Sequence, residues 1–338
     1  MGDRQVRQSG GYSKSRIVRP ASFAAASKFV GMERSNTAGM RVSLASQSPA
    51  RDGTMSGPPQ IFDRILYARR RARAAGTAFL IGDVAAHLAE RIAAVNRRFQ
   101  NALDLSSRME SFSQLRNSAK NWTRTSLSPA PGNIAADEEA LPFATGSFDL
   151  ITSVLSLHAV NDLPGALLQI RQALQPNGLF VAALFSGETL QELREALAVG
   201  ESEIAGGITP HVAPFADLRD LGGLLQRAGF ALPVSDVERT LVNYRDFNSL
   251  IGDLRALGET NALASRSRKF LRRDVLAAAL AHYLARHSTP DGRLKATFDI
   301  VYLTGWAPHE SQQKPLAPGS ARTRLMDAIG NRAFPSTS

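Results

Sequence analysis

The chain has 338 residues, 43% of them hydrophobic and 21% charged, the balance of an ordinary globular protein longer than one typical domain and shorter than three. Its formal charge of +10 is uneven: residues 1–54 hold nine Lys and Arg against three acids, a net of +6, which leaves +4 for everything after, so the basic total is no argument for nucleic-acid binding. There is no cysteine, which excludes structural disulfides, thiolate zinc sites and a cysteine nucleophile.

Residues 1–54 are rich in Ser, Arg, Ala and Gly and lack any sustained helical or strand period, so they are expected to be largely disordered. Arg and Ser enrichment with few acids fits a mitochondrial transit peptide. An upstream start codon, with Met55 as the true beginning, is the preferred reading because Met55 opens directly into the ordered pattern at Ile61-Phe62-Asp63. No apolar run approaches the roughly 20 residues of a membrane-spanning helix, and residues 1–30 lack the apolar centre of a secretory signal. The expectation is a soluble protein, cytoplasmic or at most peripheral to the inner membrane, or in the mitochondrial matrix if the chain is eukaryotic.

From Gln60 to Phe99 apolar residues recur at helical spacing, with Leu80, Val84, Leu88 and Ile92 as one stripe. The run Arg69-Arg70-Arg71 reads as a solvated helix face, since no aromatics are interleaved with the charges. Short β-rich runs then alternate with amphipathic helices, the pattern of a doubly wound α/β fold with a mostly parallel sheet. Ala102-Leu103-Asp104-Leu105 is a first strand. Residues 111–135 are polar and irregular, too short for both a helix and a normal second strand. Phe148 to Val160 is a buried central strand, and Asp162-Leu163-Pro164 caps a helix whose Leu163, Leu167, Ile170 and Leu174 face the sheet.

Pro176-Asn177-Gly178 turns the chain into a strand from Leu179 to Phe185. Helices follow at about 188–203 and 215–228, the second stopped by Gly229, then a strand at 231–242. Residues 246–287 form a helical insertion before the last strand, with Leu250, Leu254 and Leu257 in one helix and Val275, Leu276, Leu280 and Leu284 in another. The last strand runs from Thr297 to Leu303 and ends in Gly305-Trp306. One domain over residues 55–310 and a polar tail over 311–338 complete the organisation.

In an open parallel sheet the ligand sits at the carboxyl ends of the strands near the switch point, so the informative residues follow Leu105, Ala136 and Leu155. After the third strand comes Ala136-Asp137-Glu138-Glu139-Ala140-Leu141-Pro142-Phe143, then Gly146-Ser147-Phe148-Asp149-Leu150. A carboxylate at that turn can accept from the exocyclic amine of an adenine, and a plain acidic turn would explain it equally.

Together with the helix after Asp162 and Gln175-Pro176-Asn177-Gly178, this spacing resembles the type-11 group of class I methyltransferases. Leu155-Ser156-Leu157-His158, Val160-Asn161-Asp162-Leu163-Pro164, residues Gly207 to Phe215, Gly258-Glu259-Thr260-Asn261-Ala262 and Gly305-Trp306 through His309-Glu310-Ser311-Gln312 are similar, more narrowly, to the methyltransferase-fold assembly factors of respiratory complex I. The resemblance runs from about Ile61 to Gly330. It implies a Rossmann-like domain that binds S-adenosyl-L-methionine (SAM) and acts on a protein side chain in maturing a subunit of NADH:quinone oxidoreductase, by methylation or by hydroxylation of an arginine. The implied alternative is a non-catalytic assembly factor that keeps the fold without binding the cofactor. Neither reading involves nucleic acid.

The cofactor-binding candidates are Asp104, Ser106, Asp137, Glu138 and Leu155. Two features depart from the family pattern. The glycine-rich turn Asp-Leu-Gly-x-Gly-x-Gly reads Asp104-Leu105-Ser106-Ser107-Arg108-Met109-Glu110, which puts side chains where positive φ and close cofactor approach are expected. The ribose-binding acid at the end of strand two is missing, since residues 111–136 contain no Asp or Glu. Methyl transfer from a sulfonium needs alignment and exclusion of water rather than a catalytic dyad, so His158 is the one candidate for positioning a substrate or accepting its proton, against a packed, hydrogen-bonded core role. His211 and His309-Glu310 are placed near the same cleft without metal-ligand spacing, and no metal is assigned.

Overall fold

The computed structural model describes residues 59–74 and 78–312, with the backbone of residues 16–18. The expectations for the N-terminal extension, Met55 and the tail beyond Gln312 lie outside the described residues, except at 16–18, where a short strand stands in a segment expected to have none.

The strands are β1 (Arg16–Val18), β2 (Phe99–Leu105), β3 (Ala119–Ser126), β4 (Ile134–Ala135), β5 (Phe148–Val154), β6 (Leu174–Ser186), β7 (Ala231–Tyr244) and β8 (Leu294–Trp306). They form one sheet in the order β1-β7-β8-β6-β5-β2-β3-β4. Every neighbouring pair is parallel except those involving β8, which runs antiparallel between β6 and β7. The order reverses between β2 and β5, so the cleft that receives a ligand opens there, at their carboxyl ends.

Successive residues of the central strands enter opposite cores, which is why these strands read as continuous apolar runs. Leu150 and Val181 pack under α2 (Phe79–Ala93), α5 (Gln191–Ala205), α7 (Phe247–Leu257) and α8 (Arg273–His287). Ile151 and Phe180 pack under α4 (Leu163–Ala173) and α6 (Leu218–Arg227). The expected stripe Leu80, Val84, Leu88 and Ile92 is buried on α2. Asp162 caps α4, its Oδ1 accepting from Gly165 N at 2.8 Å, with Pro164 in the first turn. Gly229, at φ +80, terminates α6.

Three expectations are corrected. Residues 111–135 hold both a helix, α3 (Met109–Leu115), and the eight-residue β3. The crossover is compressed because α3 begins three residues after β2 and passes through a single 3-10 turn into β3. β3 is polar because its outer neighbour is the two-residue β4, so little of it is covered. The central strand β5 ends at Val154, where Leu155 takes φ +49 and a 3-10 turn over Leu157–Ala159 follows. On α8 the buried row is Val275, Ala279 and Tyr283, and Leu284 is 49% exposed.

That rotation of α8 has a local cause. Helix α5 presents Gly200, where an added Cβ would lie 2.7 Å from Val275 O and 2.8 Å from Ala279 N, so the two helices touch backbone to backbone. Gly82, inside α2, has nothing within 4 Å of its Cβ position. Gly200→Ala is therefore expected to destabilise the protein by about 1–3 kcal/mol through overpacking, and Gly82→Ala to stabilise it by about 0.5–1 kcal/mol through helix propensity, both read by urea unfolding.

Candidate active site

The carboxyl ends of β2 and β5 deliver Asp104 and Leu155 to the switch point. Asp104 is fully buried, and Thr152 Oγ1 donates to its Oδ1 at 2.9 Å. Its Oδ2 and the neighbouring Ser107 hydroxyl are buried without an aligned hydrogen bond. Burial pushes the Asp104 carboxyl up to about 6, against the opposing pull of the Ser107 and Thr152 hydroxyls.

Helix α1 (Arg64–Arg73) closes this edge of the sheet. Its entry is fixed by Asn161, whose Oδ1 accepts from Ile61 N and Phe62 N, both at 2.8 Å, and by Asp63, whose Oδ1 caps the helix through Leu66 N at 2.9 Å. Arg64, Tyr67 and Arg71 then fall on one face. Arg64 Nη2 donates to Asp137 Oδ1 at 2.6 Å and to Glu138 Oε2, and Nη1 donates to Ala159 O at 3.0 Å. Ser106 Oγ donates to Glu138 Oε1. Arg71 donates to Leu155 O at 2.8 Å, Ser106 O at 3.3 Å and Tyr67 Oη at 3.0 Å.

The reading of Arg69-Arg70-Arg71 as a solvated face is thus wrong for Arg71, whose side chain is 8% exposed. Strand-end carbonyls have no ladder partner, and a planar guanidinium with several donors satisfies two of them at once. All five cofactor candidates, Asp104, Ser106, Asp137, Glu138 and Leu155, are brought together around these two arginines.

The glycine-free loop is accommodated in a specific way. Ser106 takes φ +50, the left-handed conformation that a glycine would adopt freely. Its amide donates to Thr125 Oγ1 at 3.0 Å, and Ser107 N donates to Thr125 O at 2.8 Å. Arg108 remains extended at φ −125 and swings away, its guanidinium donating to Leu257 O at 2.7 Å and Ala256 O at 2.8 Å at the carboxyl end of α7. The loop side chains therefore do not fill the cleft. Between Ser106–Met109 and residues 126–133 lies a cavity of about 660 Å³ with Arg71 and Arg124 in its wall. Where a ribose-binding acid is expected, β3 ends in Ser126 and is followed by Leu127.

A second cavity, about 310 Å³ and mostly apolar, is lined by Phe62, Tyr67, His158, Phe185, Phe215 and Phe298 together with Glu259. Glu259 Oε1 accepts from Tyr67 Oη at 2.8 Å and pairs with Arg71 Nη1 at 3.4 Å, and Oε2 lies 3.0 Å from His158 Nε2. Burial by itself would raise the Glu259 carboxyl, but His158, Arg71 and the Tyr67 hydroxyl outweigh it and hold the group below its ordinary range. Residue reading singled out His158 and missed Glu259 as its partner. The available signal was Gly258, which ends α7 at φ +75 where a Cβ would sit 3.1 Å from Arg71 Cα, so only glycine lets α1 approach and aims the next side chain inward.

His211 lines the apolar cavity and lies 2.8 Å from Glu201. His309 does not reach the cleft. It bonds Ser311, and Gln312 beside it binds Asn177 at the opposite end of β6.

A profile described as a methyltransferase domain matches residues 79–182. The mitochondrial arginine hydroxylase NDUFAF5 of Danio rerio is 38% identical over 287 residues, covering 79% of this chain and 89% of the relative. The chain belongs to the NDUFAF5 family. A malonyl-[acyl-carrier protein] O-methyltransferase of Laribacter hongkongensis is 36% identical, over 64% of this chain and 70% of that one. The solved YcgJ protein of Bacillus subtilis, 13% identical, aligns with 67% of this chain and 98% of its own at a TM-score of 0.46. By its strand order and the matching profile this NDUFAF5 relative is a methyltransferase-fold protein, and none of its described helices is long and apolar enough to cross a membrane.

The buried Asp104 gives the family fold a measurable pH dependence. Its carboxyl titrates near 6 in the folded state and near about 4 unfolded, so the native state binds more protons between those values and stability falls as pH rises through that window. Asp104→Asn, which keeps an acceptor for Thr152, is expected to be about 2–3 kcal/mol more stable than wild type above pH 7, with the difference vanishing below pH 4. Denaturant unfolding across that range checks it.

Proposed function

We propose that this protein binds SAM at the Asp104–Ser106–Leu155 edge and modifies an arginine side chain of a subunit of NADH:quinone oxidoreductase during its maturation. The observation that carries the reading is Glu259. It stands at the edge of an apolar cavity, already pairs with one guanidinium, and has its oxygens fixed by Tyr67 and His158. An arginine has the matching chemistry, an aliphatic stem for the aromatic walls and a planar cation for the carboxylate. The relatives named arginine hydroxylases agree with that substrate class.

The cleft fits the amino-acid end of SAM. Asp104 Oδ2, buried without a partner, is an acceptor for an ammonium, and Arg71 is a cation for a carboxylate. The adenosine end meets Asp137 and Glu138, both engaged by Arg64, and no acid at the end of β3. When bound, SAM supplies a methyl group on a sulfonium. The residues of this chain orient the partners: Glu259 holds the substrate guanidinium, Tyr67 and His158 fix Glu259, and α1, which lines one cavity with Ala68 and Arg71 and the other with Tyr67, excludes water between them. The relatives are mitochondrial by name, and the proposed location of this chain, if it is eukaryotic, is the mitochondrial matrix.

A second reading, a non-catalytic assembly factor, is favoured by one observation: Arg64 and Arg71 already satisfy Asp137, Glu138 and the Ser106 and Leu155 carbonyls from within the chain. Mass spectrometry of the client subunit, incubated with the protein and SAM, separates the two. The enzyme reading expects an arginine-bearing peptide gaining the mass of a methylene, the SAM sulfonium leaving as the thioether and the guanidinium losing a proton, with Glu259→Gln lowering the yield about 100-fold. Unmodified client that still co-purifies with the folded wild-type protein contradicts it and leaves the scaffold.

A further inference from the structure

On the outer side of the α5–α8 pair, away from both cavities, three donors from separate turns converge. His282 Nε2 lies 2.8 Å from Glu195 Oε1 and His287 Nε2 lies 3.1 Å from Glu195 Oε2. One ligand atom from each residue falls within 4.8 Å of the others. Among the described residues no other group of this kind is formed.

The convergence follows from the backbone. Gly200 of α5 rests on Val275 and Ala279 of α8, and Glu195 of α5 faces His282 and His287, so the helices run antiparallel and each step back along α5 matches a step forward along α8. The close crossing at Gly200 thereby sets the separation at which Glu195 reaches both rings. Leu193 and Leu197 on the neighbouring strip of α5 line the apolar cavity, whereas Glu195 is half-exposed on the far strip. Both histidines are partly buried, their rings 6.2 Å apart and inclined at 65°.

We propose that Glu195, His282 and His287 bind a divalent transition-metal ion of the zinc class, with solvent in the remaining position, as a clamp that fastens the helical insertion to α5. Two imidazoles and a carboxylate form a donor set of borderline softness that suits Zn²⁺, Co²⁺ and Ni²⁺. Ligand atoms about 2.1 Å from a tetrahedral ion are about 3.4 Å apart, so the present 2.8 and 3.1 Å contacts open by side-chain adjustment alone. One carboxylate balances at most one protonated ring, and a divalent ion binds both neutral rings and the carboxylate together. His287 also ends α8, where the last carbonyls favour a cation.

His282 and His287 stand five residues apart on α8, a spacing that zinc sites use, and Glu195, 87 residues before His282, joins them only through the contact of the two helices. The site is independent of the proposed SAM and arginine sites, so its test does not depend on activity.

The test is calorimetric titration of the full, chelator-treated chain with ZnCl₂, alongside Co²⁺ absorption in the visible range and thermal unfolding with and without metal. One equivalent should bind saturably, give the d–d bands of a tetrahedral nitrogen–oxygen site, and raise Tm by several degrees. Glu195→Gln and His282→Ala, with unchanged far-ultraviolet circular dichroism, should each weaken binding at least about tenfold and remove the Tm rise. If either variant misfolds, His287→Gln takes its place. Absence of saturable binding by the folded wild type, or equal binding by the variants, overturns the proposal.

Discussion

Arg64 and Arg71, two turns apart on one face of α1, carry the charge that lets Glu138 and Glu259 share a nearly dry site with two strand-end carbonyls, with the more exposed Asp137 at its rim. A buried carboxylate without a partner costs several kcal/mol, so Glu138 and Glu259 hold their positions only while α1 is docked. Docking in turn requires Asn161 at the helix entry and Gly258 beneath Arg71. The segment before the sheet and the loop after α7, distant in sequence, are thereby made part of one electrostatic unit with the carboxyl edge of β2 and β5.

That unit explains why a loop without glycines is tolerated. Ser106 accepts a left-handed conformation at some cost in strain, and its carbonyl, amide and hydroxyl are each bonded, to Arg71, Thr125 and Glu138. The side chain expected to obstruct the cleft, Arg108, instead caps α7. The wall of the cleft is consequently basic: Arg71 and Arg124 line it, and the end of β3, where the family pattern has a ribose-binding acid, carries none. In the function we propose, recognition of SAM rests on Asp104 and Arg71 rather than on a ribose clamp, and the apolar cavity lined by Tyr67 and Glu259 is the compartment for a cationic side chain.

Elements buried on two faces were legible in the sequence. β5, β6 and the stripes of α2 and α4 are apolar because both sides of the sheet are covered, and Asp162, Pro164 and Gly229 mark helix ends by local chemistry. β3 was illegible because an edge strand beside a two-residue neighbour has little to bury. The acids Asp104, Asp137 and Glu138 were found from their places after strands. Arg71 and Glu259 were not found as a pair, since a run of arginines reads as solvated and Gly258-Glu259, though part of the family-like pattern, does not say which side chain Glu259 meets. Their meaning comes from tertiary approach alone, and the same holds for Glu195 with His282 and His287.

The central claim is that Arg71 is a working part of the cofactor cleft rather than a plug in it, and calorimetric titration of S-adenosylhomocysteine into the wild type and Arg71→Met tests this most directly. The account predicts saturable binding by the wild type and binding at least about tenfold weaker in the variant, the loss of one charge-assisted contact. Tighter binding by Arg71→Met, or none by the folded wild type, would contradict it.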